Sequence, residues 1–361
     1  MYDVGVSQFL YSINSFLIQL CIFKVADESV ITTLSILYSI QIFFFMLMRK
    51  LSYEQHLVYA GSIQRPPVIE VWLILLVFTF ALGVYYNWDL TIICLMTIFG
   101  FLNTVLDYKL FSNYSKKERK TLIGNLIVFI VLTSNMALFS NIYNTLVWLN
   151  LSIALYLLIF CRIELFKVFQ LKIRPTIDFY RGFDFILGSG LGYLLPLLIL
   201  FQLGNQGVVE IRASQLFVSL INFFAMTLFL KNLSKNINSN IYFYSLTPSA
   251  ILFFIYIILE KYDASTFSIL TPVFVHLSSI VYLFIISFVF TQISNYWLSK
   301  IIKVKLQNKV FSWHLKSLPI FLTIYFTGMA LFGTLGFAIS SIIVNALDGM
   351  ILRRIILQSR K

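Results

Sequence analysis

The hydrophobic residues of the chain are grouped in long runs that are separated by polar stretches, most of them short. A membrane-spanning α-helix needs about 20 predominantly apolar residues. About twelve runs meet this requirement. They are 6–26, 29–48, 70–87, 89–112, 121–140, 143–163, 182–203, 209–231, 240–259, 266–297, 317–333 and 335–353. The pattern therefore predicts an all-α polytopic membrane protein with about twelve transmembrane helices.

Four polar residues at spacings of three and four share one face of the predicted eighth helix. They are Arg212, Gln215, Ser219 and Asn222. Since a charge or an amide is costly in hydrocarbon, we expect this polar seam to face the interior of a helix bundle and the apolar sides to face lipid. The four residues are candidates for substrate binding. In the alternative interpretation, Arg212 pairs with Glu210 or extends to the outer membrane interface.

The charged residues are distributed as the topology of a membrane protein requires. The chain is 59% hydrophobic and 12% charged, with a net charge of +12. If the chain starts inside, every lysine and arginine except Lys24, Arg212 and Lys261 falls on the inner side. We therefore predict cytoplasmic termini and no nucleic-acid partner. The basic loop 115–120 is expected to lie against anionic inner-leaflet lipids as a topological anchor, with a specific lipid site as the alternative.

Three carboxylates near the inner ends of predicted helices are candidates for ion coupling. Asp107 lies in the fourth helix, and Asp184 lies at the start of the seventh, where it could instead stabilise the helix N-terminus. Asp348 lies on a polar seam of the twelfth helix. The sequence leaves open whether Asp348 pairs with Arg353 or Arg354 or faces a cavity.

A basic, amphipathic connector divides the predicted helices into two bundles of six. The bundles are residues 1–165 and 182–361, and the cytoplasmic linker is 166–181. An even number of helices in each bundle gives both the same orientation in the membrane. Clustered glycines and a proline early in the second bundle predict a kinked hinge, with static close packing as the alternative. The predicted hinge residues are Gly188, Gly190, Gly192 and Pro196.

Residue types that bind metals form no constellation in the sequence. Cys21, Cys94 and Cys161 lie in apolar runs without metal-ligand spacing. His276 has no second histidine within ligand spacing. We therefore predict no metal site and no cofactor.

Several patterns along the chain resemble the multidrug/oligosaccharidyl-lipid/polysaccharide (MOP) exporter superfamily, in particular its Wzx-like exporters of polysaccharide repeat units. Arg212, Ala213 and Gln215 carry an Arg-Ala-x-Gln pattern that is similar to the family's eighth helix. Further stretches are similar to the family's first, second, fourth and final helices. They are Asp3 to Phe16, Arg49, Asp107 to Lys120, and Gly333 to Arg354.

The resemblance implies a V-shaped pair of six-helix bundles that rock between inward-open and outward-open states. It implies a substrate, a polyprenyl-diphosphate-linked oligosaccharide, that is flipped across the bacterial inner membrane. Arg212 would bind the diphosphate, since a guanidinium group matches phosphate oxygens in bidentate geometry. Other polysaccharide-assembly proteins would be partners.

Two alternative functions remain open at the level of the sequence. One is a glycan polymerase or ligase of the same pathway, and the other is a small-molecule or ion antiporter of the same fold. The predicted outer connections are short, and the sequence contains no recognisable Ser/His/Asp or metal constellation. We therefore expect a transporter and not an enzyme.

Overall fold

In the computed structural model, the part of the chain that is described is helical and contains no strand. The described residues are 2–25, 27–48, 68–113, 120–138, 141–159, 183, 185–219, 241–261, 273, 276, 277, 279–304 and 306–359. Two compact units are present, Met1–Leu197 and Leu198–Lys361. The predicted linker 166–181 lies outside the described residues.

The described part of the first unit up to Ile159 contains six long helices. They are α1 (Tyr2–Val25), α2 (Glu28–Met48), α3 (Val68–Tyr86), α4 (Leu90–Asn113), α5 (Lys120–Leu138) and α6 (Ile142–Ile159). Their bounds follow the first six apolar runs within a few residues. The agreement has a physical reason, because a helix satisfies all backbone hydrogen bonds within one segment, as the bilayer requires.

A π-helical turn, Ile186–Gly190, precedes the helical stretch Leu191–Ser219, which continues into the second unit. This stretch is interrupted at Gly204, which has a φ of 71° and a ψ of −167°. We number its two segments α7 (191–203) and α8 (205–219). The remaining helices are α9 (Ile241–Lys261), α10 (Val281–Lys303) and two segments of Gln307–Gln358, α11 (307–332) and α12 (334–358).

Gly333 joins α11 and α12 in a tight helical hairpin. Its φ of 59° and ψ of −133° belong to a region that glycine adopts at little steric cost. Contacts across the hairpin join residues before this turn to residues after it. Gly328 lies against Gly336, the rings of Tyr325 and Phe337 are 5.2 Å apart, and Ser340 Oγ donates to the Ile324 carbonyl at 2.9 Å. The two helices are therefore antiparallel, as the separate runs 317–333 and 335–353 predict.

The turn between α3 and α4 is fixed by backbone and side-chain hydrogen bonds. Asn87 has a φ of 54°, and the N–H of Trp88 donates to the Gly83 carbonyl at 2.9 Å, which closes the end of α3. Asp89 Oδ1 accepts from the N–H of Thr91 at 2.7 Å and caps α4. Asp27 caps α2 in the same way through the N–H of Val30 at 2.9 Å. Carboxylate caps thus begin two helices at tight turns.

The cap of α4 gives an expected pH dependence. The hydroxyl of Tyr143 donates to Asp89 Oδ2 at 2.8 Å, and this bond is the main reason why the pKa of Asp89 is lowered. The resulting stability is present above the pKa of an unfolded aspartate, about 3.9, and is lost as the pH falls through the lower folded pKa. Since Asp89 is exposed, we expect Tyr143→Phe to reduce the pH-dependent part of the free energy of unfolding by less than about 1 kcal/mol.

Thermal unfolding of the detergent-purified protein between about pH 3 and pH 7 measures this effect. Tyr85→Phe is the matched control, because the Tyr85 side chain is exposed and belongs to the same turn region. Equal pH profiles for Tyr143→Phe and the wild type would show that the hydrogen bond contributes nothing.

Helix α4 is held in the first unit by donors from three neighbouring helices. Consecutive carbonyl groups of α4 accept these side-chain hydrogen bonds. Asn150 Nδ2 of α6 donates to Leu95 at 3.0 Å, Gln41 Nε2 of α2 donates to Met96, and Trp72 Nε1 of α3 donates to Thr97 at 3.4 Å. Gly100 lies directly against the Gln41 side chain, so α2 and α4 approach closely there.

Five of the described helical stretches are long and apolar enough to cross a membrane, and four shorter apolar helices accompany them. The helix predicted over 266–297 differs from the structure, because α10 spans Val281–Lys303 and the N–H of His276 donates to the Val273 carbonyl in a turn. The apolar run is longer than one crossing and contains Pro272, which disfavours a helix at the residue before it. Hydrophobicity alone did not locate the start of this helix.

Candidate functional site

The polar seam of α8 is present in the structure as far as Ser219. Arg212 and Gln215 are both half-buried, and Arg212 Nη1 donates to Gln215 Oε1 at 2.9 Å. Ser219 Oγ donates to the Leu216 carbonyl at 2.7 Å, one turn back along the helix. Asn222 lies outside the described residues. The amide of Gln215 therefore holds the guanidinium group along the seam.

The apolar faces of α8 are buried in protein, which differs from the lipid-facing position that we expected. Val208, Ile211 and Leu216 are each 0% exposed. Arg212 and Gln215 are more accessible than these apolar neighbours. A helix that is apolar on several sides is typical of a central helix in a large bundle as well as of a lipid-facing one. Within α8, Arg212, Gln215 and Ser219 of the seam are thus half-buried beside fully buried apolar residues.

Glu210 is not an ion-pair partner of Arg212 within the described residues. Glu210 is half-buried, and its backbone carbonyl accepts from Ser214 Oγ at 3.0 Å. The side-chain bond from Arg212 runs in the opposite direction along the helix, to Gln215. The interpretation of Arg212 as half of a local Glu–Arg pair is therefore disfavoured.

Asp348 lies in a polar cluster between α11 and α12. Its Oδ1 accepts from Trp313 Nε1 at 3.2 Å and lies 3.1 Å from His314 Nε2. His314 is 5% exposed, whereas Arg353 and Arg354 are exposed. The sequence left a choice between an arginine pair and a cavity for Asp348. In the structure, the carboxylate is bound by an indole and an imidazole of the neighbouring helix.

Neighbouring polar contacts join α12 to α10. Asn345 Nδ2 donates to Ser287 Oγ at 2.9 Å, and Ser294 Oγ donates to the Asn345 carbonyl at 3.2 Å. One turn further along α12, a side chain on Gly349 would meet Ser294. The second unit therefore contains polar contacts on both faces of α12, to α11 at Asp348 and to α10 at Asn345.

The depth of Asp348 follows from its distance along α12. At a rise of about 1.5 Å per residue, it lies about 22 Å beyond the Gly333 turn. The hydrocarbon core of a bilayer is about 30 Å thick. If the Gly333 turn lies at one membrane surface, Asp348 is expected in the half of the membrane that is remote from it.

The other two carboxylates of the predicted ion-coupling set are Asp107 and Asp184. Asp107 is part of helix α4, but its side chain is outside the described part of the structure. Asp184 lies entirely outside the described residues. In the described part of the chain, no group of three His, Cys, Asp or Glu residues is arranged to hold a metal ion.

The predicted hinge residues lie in the π-helical turn and in α7, the regular helix that follows it. Gly188 and Gly190 belong to the turn Ile186–Gly190, and a side chain on Gly190 would collide with Phe185 and Phe43. Gly192 has open space around it, and Pro196 is buried within a stretch whose φ and ψ angles are non-helical only at Gly204. Motion about these residues stays a prediction.

Sequence analysis missed Trp313 and His314 as partners of Asp348. The signal was available in the hairpin. Once Gly333 is taken as its turn, residues before it face residues after it, so the part of α11 that contains His314, 19 residues before the turn, comes near Asp348, 15 residues after it. A prediction of the turn conformation at Gly333, in addition to the apolar runs, would have brought these two stretches together.

The fold is shared with a solved transporter. A variant of the Vibrio cholerae MATE transporter VcmN matches 98% of this chain and 94% of its own, with a TM-score of 0.61 and 11% sequence identity. No family model and no curated protein sequence matches the chain. At this identity the likeness establishes the fold. The described part of the chain is all-helical and has the fold of this MATE transporter, which confirms the predicted fold class.

Proposed function

We propose that the chain is a membrane transporter that flips a polyprenyl-diphosphate-linked oligosaccharide repeat unit across the bacterial inner membrane by alternating access. The fold supports transport, because it extends over nearly the whole length of a MATE transporter. The lipid tail of such a substrate stays in the bilayer while the polar head crosses between the helices. The protein therefore needs a polar path, and not a closed pore.

One observation carries the choice of substrate. Arg212 lies half-buried on the polar seam of α8, next to apolar residues that are fully buried, and its Nη1 donates to Gln215 Oε1 at 2.9 Å. A planar guanidinium group matches two phosphate oxygens. Because Gln215 already fixes the guanidinium group, less conformational entropy is lost when a phosphate binds. Gln215 and Ser219 extend the same seam with groups that bind sugar hydroxyls, and the spacing of Asn222 in the sequence predicts that it continues the seam.

The proposal places the chain in the inner membrane with both termini in the cytoplasm. Its support is the distribution of lysine and arginine, which avoids one side of the membrane almost completely. In this orientation, the turns at Asn87 and Gly333 are outside.

The orientation is tested by cysteine labelling on a cysteine-free background. We expect an impermeant maleimide, added to intact spheroplasts, to modify Trp88→Cys and to leave Lys117→Cys unmodified until the membrane is opened. Both variants must insert at the level of the parent protein. Labelling of position 117 alone would reverse the orientation.

The function is tested in cells from which the chain has been removed. We expect lipid-linked repeat units to accumulate on the cytoplasmic leaflet and the surface polysaccharide to disappear, with both restored by a wild-type copy. The proposal does not survive if the deletion strain displays normal surface polysaccharide without accumulated precursor.

A proton-coupled small-molecule antiporter is the second candidate. It is favoured by the Asp348 cluster, because a carboxylate and an imidazole inside a helical bundle are suitable groups for taking up and releasing a proton. Asp107 and Asp184 remain additional candidates for this coupling.

The two candidates differ in their response to an imposed pH gradient. On the flippase proposal, inverted vesicles with the wild-type chain should move no fluorescent organic cation when a gradient is applied. Asp348→Asn, which keeps the shape but loses the proton-binding charge, is the control. Gradient-driven uptake of the cation into wild-type vesicles that falls at least about tenfold in Asp348→Asn would favour the antiporter.

A further inference from the structure

An aromatic and cationic cluster lies where α10 and α12 end together. Its members are Tyr296, Trp297 and Lys300 of α10 and Arg353 of α12, and we name it the interfacial cluster. Lys300 Nζ is 4.3 Å from the centre of the Tyr296 ring and 5.3 Å from that of Trp297. The Arg353 guanidinium carbon is 6.0 Å from the Trp297 ring centre. Two cations from different helices thus converge on one indole.

Apolar residues pack against the indole of Trp297 and fix its position. Trp297 packs against a buried cluster that includes Ile301, Val310 and Leu352, none of which is more than 1% exposed. Lys300 is half-buried and Arg353 is exposed. Each cation is attracted electrostatically to the face of the ring. The cluster is therefore organised before any ligand arrives.

Both cations lie at the depth of a membrane surface. Arg353 lies about 30 Å beyond the Gly333 turn, and Lys300 lies about 28 Å beyond the start of α10 at Val281, at about 1.5 Å per residue. These lengths equal the thickness of the hydrocarbon core. Tyrosine and tryptophan are enriched at the same level, beside the lipid headgroups. The cluster thus lies where lipid phosphates are found.

The charge of the cluster is not compensated by protein within the described residues. From Val281 to Lys361, the only acidic residue in the sequence is Asp348. Its carboxylate interacts with Trp313 and His314, and no carboxylate of the described chain forms an ion pair with Lys300 or Arg353. Lys309, Lys316 and Arg354 are exposed nearby in the sequence and add positive potential.

We propose that the interfacial cluster is a binding site for the headgroup of an anionic phospholipid of the inner leaflet. Lys300 and Arg353 bind the phosphate oxygens from two helices, Trp297 and Tyr296 contact the glycerol and upper acyl region, and the lipid bridges the ends of α10 and α12. The inference rests on the membrane orientation proposed above, and it does not depend on the identity of the transported glycan.

Native mass spectrometry of the detergent-purified protein, titrated with phosphatidylglycerol, tests the site. We expect Lys300→Gln with Arg353→Gln to weaken the tightest binding event about tenfold, the change expected for about 1.4 kcal/mol. The matched control is Lys309→Gln with Lys316→Gln, which removes the same charge from exposed positions outside the cluster and should change affinity less than about threefold. Trp297→Leu keeps both charges and should give an intermediate loss.

Three results would overturn the proposal. Equal losses in the two double variants would mean that net charge alone attracts the lipid. Equal affinity of the wild type for phosphatidylethanolamine would remove the selectivity for an anionic headgroup. Displacement of the lipid by millimolar inorganic phosphate would mean that the site binds a free anion. Thermal unfolding without added lipid shows in parallel that each variant is folded.

Discussion

Gly336→Ala is expected to destabilise the second unit strongly, although it adds a single methyl group. A Cβ at this position would overlap the Gly328 carbonyl and lie 3.1 Å from Phe332 Cβ. The overlapping atom belongs to the backbone of the facing helix, so no rotamer change relieves the collision. The hairpin would have to open, and Ser340 would lose its bond to the Ile324 carbonyl.

We expect a loss near the upper end of the range for overpacked sites, about 3 kcal/mol. Thermal unfolding of the detergent-purified protein measures the loss. Gly192→Ala is the matched control, because the same methyl group meets no atom within 4 Å there and alanine favours a helix over glycine. If the two variants unfold at the same temperature, the close approach of α11 and α12 is wrong.

Arg212→Ala is expected to abolish transport of the repeat unit at a normal protein level. Loss of a hydrogen bond to a charged group costs about 1.5 to 3 kcal/mol, which corresponds to one to two decades in affinity. Arg212→Lys should be intermediate, because it keeps the charge and loses the planar pair of donors. Export of the repeat unit in the deletion strain, normalised to the amount of inserted protein, measures both variants against the wild type.

Lys261→Ala is the control for charge, because Lys261 is another cation predicted on the outer side and its side chain is exposed. It should export normally. If Arg212→Ala also exports normally, the residue has no part in substrate binding. If Glu210→Ala restores export to Arg212→Ala, the two residues act as a structural pair and the proposed role is withdrawn.

The helices of the first unit were predictable because the length of each apolar run matches the length of helix that a membrane requires. The run 29–48 and the observed Glu28–Met48 differ by one residue at one end. Asp27 before this helix and Asp89 before α4 supply the capping oxygens that such starts prefer. Apolar length and capping chemistry are local properties, so they can be read without knowing the neighbours of a helix.

The partners of polar residues were less predictable, because they depend on contacts between distant parts of the chain. The spacing of Arg212 and Gln215 correctly placed them on one face of α8, but it did not reveal that the apolar faces would be buried in protein. Asp348 lies on a helical seam that spacing identifies, whereas its contact with His314 follows only from the Gly333 hairpin. Periodicity defines the face of a helix and leaves open what lies against that face.

Reconstitution tests the central claim most directly. The purified chain is placed in liposomes with a polyprenyl-diphosphate-linked oligosaccharide in both leaflets, and a glycosidase added outside digests every glycan that it reaches. The account predicts that digestion proceeds beyond the outer-leaflet fraction in wild-type liposomes and stops at that fraction in liposomes with Arg212→Ala. Digestion by the wild type that stops where protein-free liposomes stop would contradict it.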